Sequence, residues 1–175
     1  MNTYIALLRG INISGQKIIK MADLRAFLTE AGLSQVQTYI QSGNIIFESS
    51  QSRKELTKLI IETIEKHYGF HVPTIILTPA ELQQAADNNP YQGTEGNKLY
   101  LTFLSEAPLL DGLDAIMSVK KTDEEIKLIE KVLYFHCPNG AARSKISNNL
   151  VEKKLAVRAT TRNWRTTNKL LDLIL

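Results

Sequence analysis

An unbroken apolar run at residues 4–8, Tyr4-Ile5-Ala6-Leu7-Leu8, is the feature that most limits what this chain can become. It is too short for a buried helix and reads as a buried strand. Arg9 follows it at once and no basic stretch precedes it, so a signal peptide is not the reading. After a polar loop at residues 9–20, broken by Gly10 and Gly15, Leu24, Phe27, Leu28 and Ala31 recur at helical spacing until Gly32. Residues 36–41 and 44–48 are strand-like and flank Ser42-Gly43, which signals a two-residue hairpin. Leu56, Leu59, Ile60, Ile64 and Tyr68 mark a second amphipathic helix ended by Gly69, and residues 72–77 supply a fourth strand. The order strand–helix–strand–strand–helix–strand is the ferredoxin-like plan.

The same logic then recurs. Thr78-Pro79-Ala80-Glu81 is a capping box with proline at the first helical position. Its helix ends in residues 88–97, the strongest loop signal in the chain. Strand-like residues 98–105, a short helix at 109–117 and a hairpin of 126–129 with 132–137 about Glu130-Lys131 follow. A helix at 144–155, a short strand at 156–159 and a last helix at 162–175 complete the reading. The expected fold is α+β, with two tandem ferredoxin-like (α/β-plait) subdomains and an extra C-terminal helix. The first spans residues 1–78, a helix and linker span 79–97, and the second spans 98–175. The halves share element order and no residue-level repeat.

Charge is unevenly placed. Residues 141–175 hold eight basic and two acidic side chains, whereas residues 1–140 hold thirteen basic and sixteen acidic ones. Lys145 and Arg162 fall at two predicted helix starts, Ser144-Lys145 and Thr160-Thr161-Arg162-Asn163, where the macrodipole favours anions over cations. Cations beside open backbone N–H groups and hydroxyls suit an anionic ligand. The single cysteine, Cys137, excludes an intrachain disulfide framework and fits a reducing cytosol. No stretch reaches the ~20 apolar residues of a membrane span, so a cytoplasmic protein without a membrane partner is expected.

Few residues argue for chemistry. The loop Arg9-Gly10-Ile11-Asn12-Ile13-Ser14-Gly15-Gln16-Lys17 is spaced like a phosphate-binding P-loop. It fails that motif, because Gln16 separates Gly15 from Lys17 and Ile18 stands where a metal-binding hydroxyl belongs. Ser42 and Asn44 offer a hydroxyl and an amide at a sheet end, although a tight turn explains both. His67, His71 and His136 form no metal array, no cofactor motif is present, and Cys137 reads as a packed small hydrophobe. Glu124-Glu125 reads as solvated charge and Trp164 as a core anchor.

Three segments, Ala6-Leu7-Leu8-Arg9-Gly10-Ile11-Asn12, Thr38-Tyr39-Ile40-Gln41-Ser42-Gly43-Asn44 and Ala159-Thr160-Thr161-Arg162-Asn163-Trp164, together resemble the bacterial family called domain of unknown function 1697. The likeness runs from residue 4 to about 172 and includes Ser144-Lys145. It implies tandem ferredoxin-like subdomains and supplies no activity. The family's marked positions fall on Arg9, Gly10, Asn12, Ser42, Gly43, Asn44, Ser144, Lys145, Thr161, Arg162, Asn163 and Trp164. Ile13-Ser14-Gly15 departs from the family's glycine-rich continuation.

The resulting expectation is a phosphate-bearing ligand, nucleic acid or nucleotide. Arg9, Lys17, Lys145 and Arg162 would neutralise it, and Asn12, Ser42, Asn44, Ser144, Thr161 and Asn163 would orient it. Two other classes stay open, an enzyme acting on a small anionic metabolite in a cleft between the subdomains, and a protein-interaction module.

Overall fold

A computed structural model describes residues 1–175, which divide into two compact units, Met1–Glu81 and Leu82–Leu173. Unit 1 runs β1 (Asn2–Leu8), α1 (Met21–Glu30), β2 (Ser34–Tyr39), β3 (Asn44–Ser49), α2 (Arg53–Tyr68) and β4 (Thr74–Leu77). The helix α3 (Pro79–Asp87) follows. Unit 2 then runs β5 (Leu99–Leu104), a 3-10 turn (Leu110–Gly112), α4 (Leu113–Val119), β6 (Glu125–Ile129), β7 (Val132–His136), α5 (Asn148–Leu155), β8 (Ala159–Asn163) and α6 (Trp164–Ile174). The fold is mixed α+β, with two four-stranded sheets whose pairings are all antiparallel, in the orders β2-β3-β1-β4 and β6-β7-β5-β8.

The local chemistry accounts for the elements. Ser52 and Glu55 close a reciprocal capping box at the start of α2, and Gly69, at φ 76°, ends it in the left-handed region. Thr78 and Glu81 do the same for α3, with Thr78 N donating to Glu81 Oε2 at 2.9 Å and Glu81 N to Thr78 Oγ1 at 3.2 Å. The run Tyr4–Leu8 is continuous because β1 is a central strand buried on both faces. Tyr4, Ala6 and Leu8 join the core beneath α1 and α2, while Ile5 and Leu7 on the opposite face are also fully buried.

Several boundaries differ from the sequence reading. Tyr39 pairs directly with Asn44, so the first hairpin closes through four residues, Ile40 to Gly43, rather than two. Ile40 and Gly43 carry its positive φ angles. In the second hairpin Glu130-Lys131 is a two-residue turn, with Ile129 opposite Val132. The helix expected from residue 144 begins at Asn148, because Ile146 packs into the hydrophobic cluster before the helix starts and Ser147 caps it. The strand expected at 156–159 is instead Ala159–Asn163, and the last helix begins at Trp164. The β-branched Thr160 and Thr161 pair with Phe103 and Thr102 of β5, and the cap passes to Asn163, whose Oδ1 accepts Thr166 N at 2.8 Å. Glu124 is buried rather than solvated, its Oε2 accepting Lys121 N at 2.8 Å.

On the far face of the second sheet Leu99, Leu101, Phe103 and Tyr134 are buried, and Tyr134 Oη donates to the Ala85 carbonyl of α3 at 2.5 Å. Burial, with Glu130 nearby, pushes the Tyr134 hydroxyl up to about 12 from 10.0. The folded chain therefore holds this proton where the unfolded chain has lost it, and the resulting stability, full below pH 10, fades as pH rises towards 12. Tyr134→Phe is expected to cost about 1–2 kcal/mol at pH 8, the worth of a buried hydrogen bond. Urea titrations should show the gap between wild type and variant closing from pH 10 to 12.

Candidate functional site

In unit 1 the predicted site residues are used to build the loops. The segment between β1 and α1 places Gly10, Asn12, Ser14, Gly15 and Lys17 at positive φ. Asn12 holds it together: Oδ1 accepts Ile19 N at 2.8 Å, while Nδ2 donates to Ile19 O at 3.0 Å and to Gln41 O at 2.8 Å. Both amide hydrogens are thereby spent on backbone. Lys17 Nζ donates to His71 O at 2.8 Å, and Arg9, half-buried, donates its main-chain N–H to Pro73 O. Asn44 is fully buried, its Nδ2 donating to Tyr39 O at 2.9 Å and to Ser42 Oγ at 3.0 Å. The fold does bring Asn12 and the Ser42–Asn44 turn together, through the Gln41 bond and through Leu8 N on Gly43 O at 2.8 Å.

In unit 2 the residues at 144–145 and 160–163 separate. Ser144 Oγ accepts Ile146 N at 3.1 Å within a turn, and Lys145 is exposed. Successive residues of β8 point to opposite faces. Thr161 therefore faces the α5 side while Arg162 is buried on the other, Nη1 donating to Thr160 Oγ1 at 3.0 Å and to Thr161 O at 2.9 Å. Burial pulls the Arg162 guanidinium down to about 10, which leaves it charged at neutral pH. Asn163 serves as the α6 cap, and Trp164 is half-buried.

Thr161 opens onto a cavity of about 320 Å³ lined by Tyr100, Thr102, Phe135, Ala141, Ile146, Ser147, Asn148, Val151 and Thr161 itself. Its volume is at the lower end of small-molecule pockets. Thr102 Oγ1 lies 2.7 Å from Thr161 Oγ1, and Thr161 Oγ1 donates to Asn148 Oδ1 at 2.7 Å. No charged side chain lines the space, but the segment that contributes Ala141, Ile146 and Ser147 carries exposed Arg143 and Lys145 between them. Of this wall only Thr161 is legible as a site residue from the sequence. Thr102 lies in an apolar strand without a local signal, whereas Ser147-Asn148, a capping pair before an apolar run, was detectable.

Unit 1 carries the same frame with other side chains at these positions. Tyr4 sits opposite Phe47 with ring centroids 5.9 Å apart, and Tyr100 sits opposite Phe135 at 6.3 Å. Two residues further along each first strand, Ala6 pairs with Ile76, whereas Thr102 pairs with Thr161. Leu56 and Val151 are each the fourth residue of the following helix, and Arg53 and Asn148 the first. An apolar pair in one unit is thus a hydroxyl pair with an amide above it in the other. The architecture does not itself require the polar group.

Other titratable groups offer less. No three His, Cys, Asp or Glu side chains are grouped so as to hold a metal ion. His67 stacks on Phe27, His71 Nδ1 lies 2.9 Å from Glu65 Oε1, and His136 Nδ1 lies 3.5 Å from Glu125 Oε1. Cys137 is buried with Sγ on Gly140 O, and burial beside Glu124 pushes the thiol up to about 11, so it is no thiolate nucleophile at neutral pH. No helix is long and apolar enough to cross a membrane.

The family model described as "Protein of unknown function (DUF1697)" matches residues 1–134. The chain belongs to this family. For this DUF1697 member the match ends before Ser144-Lys145 and the Ala159–Trp164 segment. No curated protein matches the chain. A solved structure, that of the conserved bacterial protein SP0830 from Streptococcus pneumoniae, is similar with a TM-score of 0.77 and 24% identity. The similarity covers 99% of this chain and 98% of that one, and it establishes a shared fold.

Proposed function

We propose that this DUF1697 protein is a cytoplasmic binding protein built from two ferredoxin-like units, the second of which holds a phosphate-bearing ligand of nucleotide size. The strand order, with the first and third strands central and the fourth beside the first, supports the ferredoxin-like reading. The free thiol of Cys137 supports a reducing compartment. The observation that carries the ligand reading is the 320 Å³ cavity, whose polar trio replaces an apolar pair of unit 1. Tyr100 and Phe135 suit a planar ring, Thr102, Thr161 and Asn148 suit its polar edge, and Arg143 and Lys145 suit a phosphate at the mouth.

A mononucleotide is favoured over a nucleic-acid chain because the central strands β5 and β7 are largely buried, leaving no extended aromatic platform for successive bases. The exposed cations Arg143, Lys145, Lys153, Arg158, Arg165 and Lys169 favour nucleic acid as the second reading. Salt dependence separates them. Calorimetry with nucleoside monophosphates should give log affinity against log salt with a slope no steeper than about −1, whereas a strand engaging roughly four phosphates gives a slope near −3. Steep, length-dependent oligonucleotide binding would replace the first reading with the second. Failure of both ligand classes to bind at low salt would remove both.

A further inference from the structure

Thr102 is 5% exposed, and a hydroxyl hydrogen left without a protein acceptor at such a position is costly. Thr161 Oγ1 lies at 2.7 Å, and Asn148 Oδ1 lies 2.7 Å beyond it. Only one direction along this chain satisfies both hydroxyls: Thr102 donates to Thr161, and Thr161 donates to the Asn148 carbonyl oxygen. Turning the amide over would make Asn148 Nδ2 the donor and leave one of the two hydroxyl hydrogens without an acceptor within this trio. The amide orientation is therefore fixed from beneath, and its NH₂ group is left for an occupant of the cavity. Ser147 Oγ already accepts Leu150 N at 3.2 Å and retains its own hydrogen as a second donor. No carboxylate lines the space to receive a donor from a ligand.

We propose that Asn148 sets the specificity of this cavity by presenting hydrogen-bond donors, so that it takes a nucleobase with a keto oxygen on Asn148 Nδ2 and disfavours one with an amino group there. This rests on the nucleotide reading above and adds the direction in which the base is read. The ring packs between the polar trio and the Tyr100–Phe135 pair, and the phosphate stays at the mouth. An amino edge would set N–H against N–H and leave both groups unpaired, the situation in which polar sites discriminate most strongly.

The test compares inosine 5′-monophosphate, which carries a keto oxygen beside a ring N–H, with adenosine 5′-monophosphate, which carries an amino group beside a bare ring nitrogen, by isothermal titration calorimetry. Wild type is expected to bind the keto nucleotide at least about tenfold more tightly. Asn148→Asp keeps the acceptor for Thr161 and turns an acceptor towards the ligand, so the ranking should invert. Thr161→Val cuts the chain, releases the amide orientation and should shrink the preference to less than about threefold. If Asn148→Asp fails to fold by circular dichroism, the wild-type pair alone decides. Equal binding of the two nucleotides by wild type overturns the inference and leaves the nucleotide reading in place. Binding of neither, with phosphate-bearing controls also silent, removes the reading itself and the inference with it.

Discussion

Arg162→Ala is expected to destabilise the protein by about 2–5 kcal/mol, the range for truncating a long buried side chain to alanine. The sequence places this cation at a helix start, where an exposed arginine would matter little to folding. The structure places it on β8 opposite Leu101, 6% exposed, on the face that Thr161 does not share. Its guanidinium donates to Thr160 Oγ1 and Thr161 O, so truncation opens a void and strips acceptors of their donor at once. Arg162→Met, which restores apolar volume without the charge, should recover a large part of the loss. Lys145→Ala, at an exposed position, should stay within about 0.5 kcal/mol of wild type. Urea denaturation with unchanged slope is the measurement. A loss below about 1 kcal/mol for Arg162→Ala would show that the guanidinium contributes as a surface charge does.

The contrast between Thr161 and Arg162 also shows where sequence reading reaches its limit. Features fixed by neighbours along the chain were legible: the buried run at 4–8, the Thr78–Glu81 box, the terminators Gly32 and Gly69, and the Glu130-Lys131 turn. Thr160-Thr161-Arg162-Asn163 misled because hydroxyl and amide residues before a helical period look like a helix start. Its pairing with β5 lies about sixty positions back in the chain, and only that pairing makes it a strand. Ser144 misled in the same way, because Ile146 packs into the hydrophobic cluster and the helix starts only after it, with Ser147 as the cap. The cavity was the least legible feature. Its polar trio joins Thr102, Asn148 and Thr161 across three elements, and no local pattern announces a contact of that range.

Gly43→Ala is expected to cost about 3 kcal/mol, and it tests whether the Arg9–Asn12 and Ser42–Asn44 segments are a structural clamp. Gly43 sits at φ +86°, where a side chain costs roughly 1–2 kcal/mol through left-handed strain alone. A Cβ there would also meet Leu8 Cβ at 2.7 Å and Ile11 Cδ1 at 2.8 Å, atoms of a fully packed core that can move only by disturbing β1. Overpacking of that kind adds about 1–3 kcal/mol. Gly10→Ala is the matched control, because Gly10 has a similar φ of +71° and nothing within 4 Å of the added carbon. It should lose only the strain, about 1 kcal/mol. Equal losses at the two positions in urea denaturation would mean that the close approach to Leu8 carries no energy. A larger loss at Gly43 would instead explain these segments by the packing of one loop onto another, with the amides of Asn12 and Asn44 committed to holding those loops together.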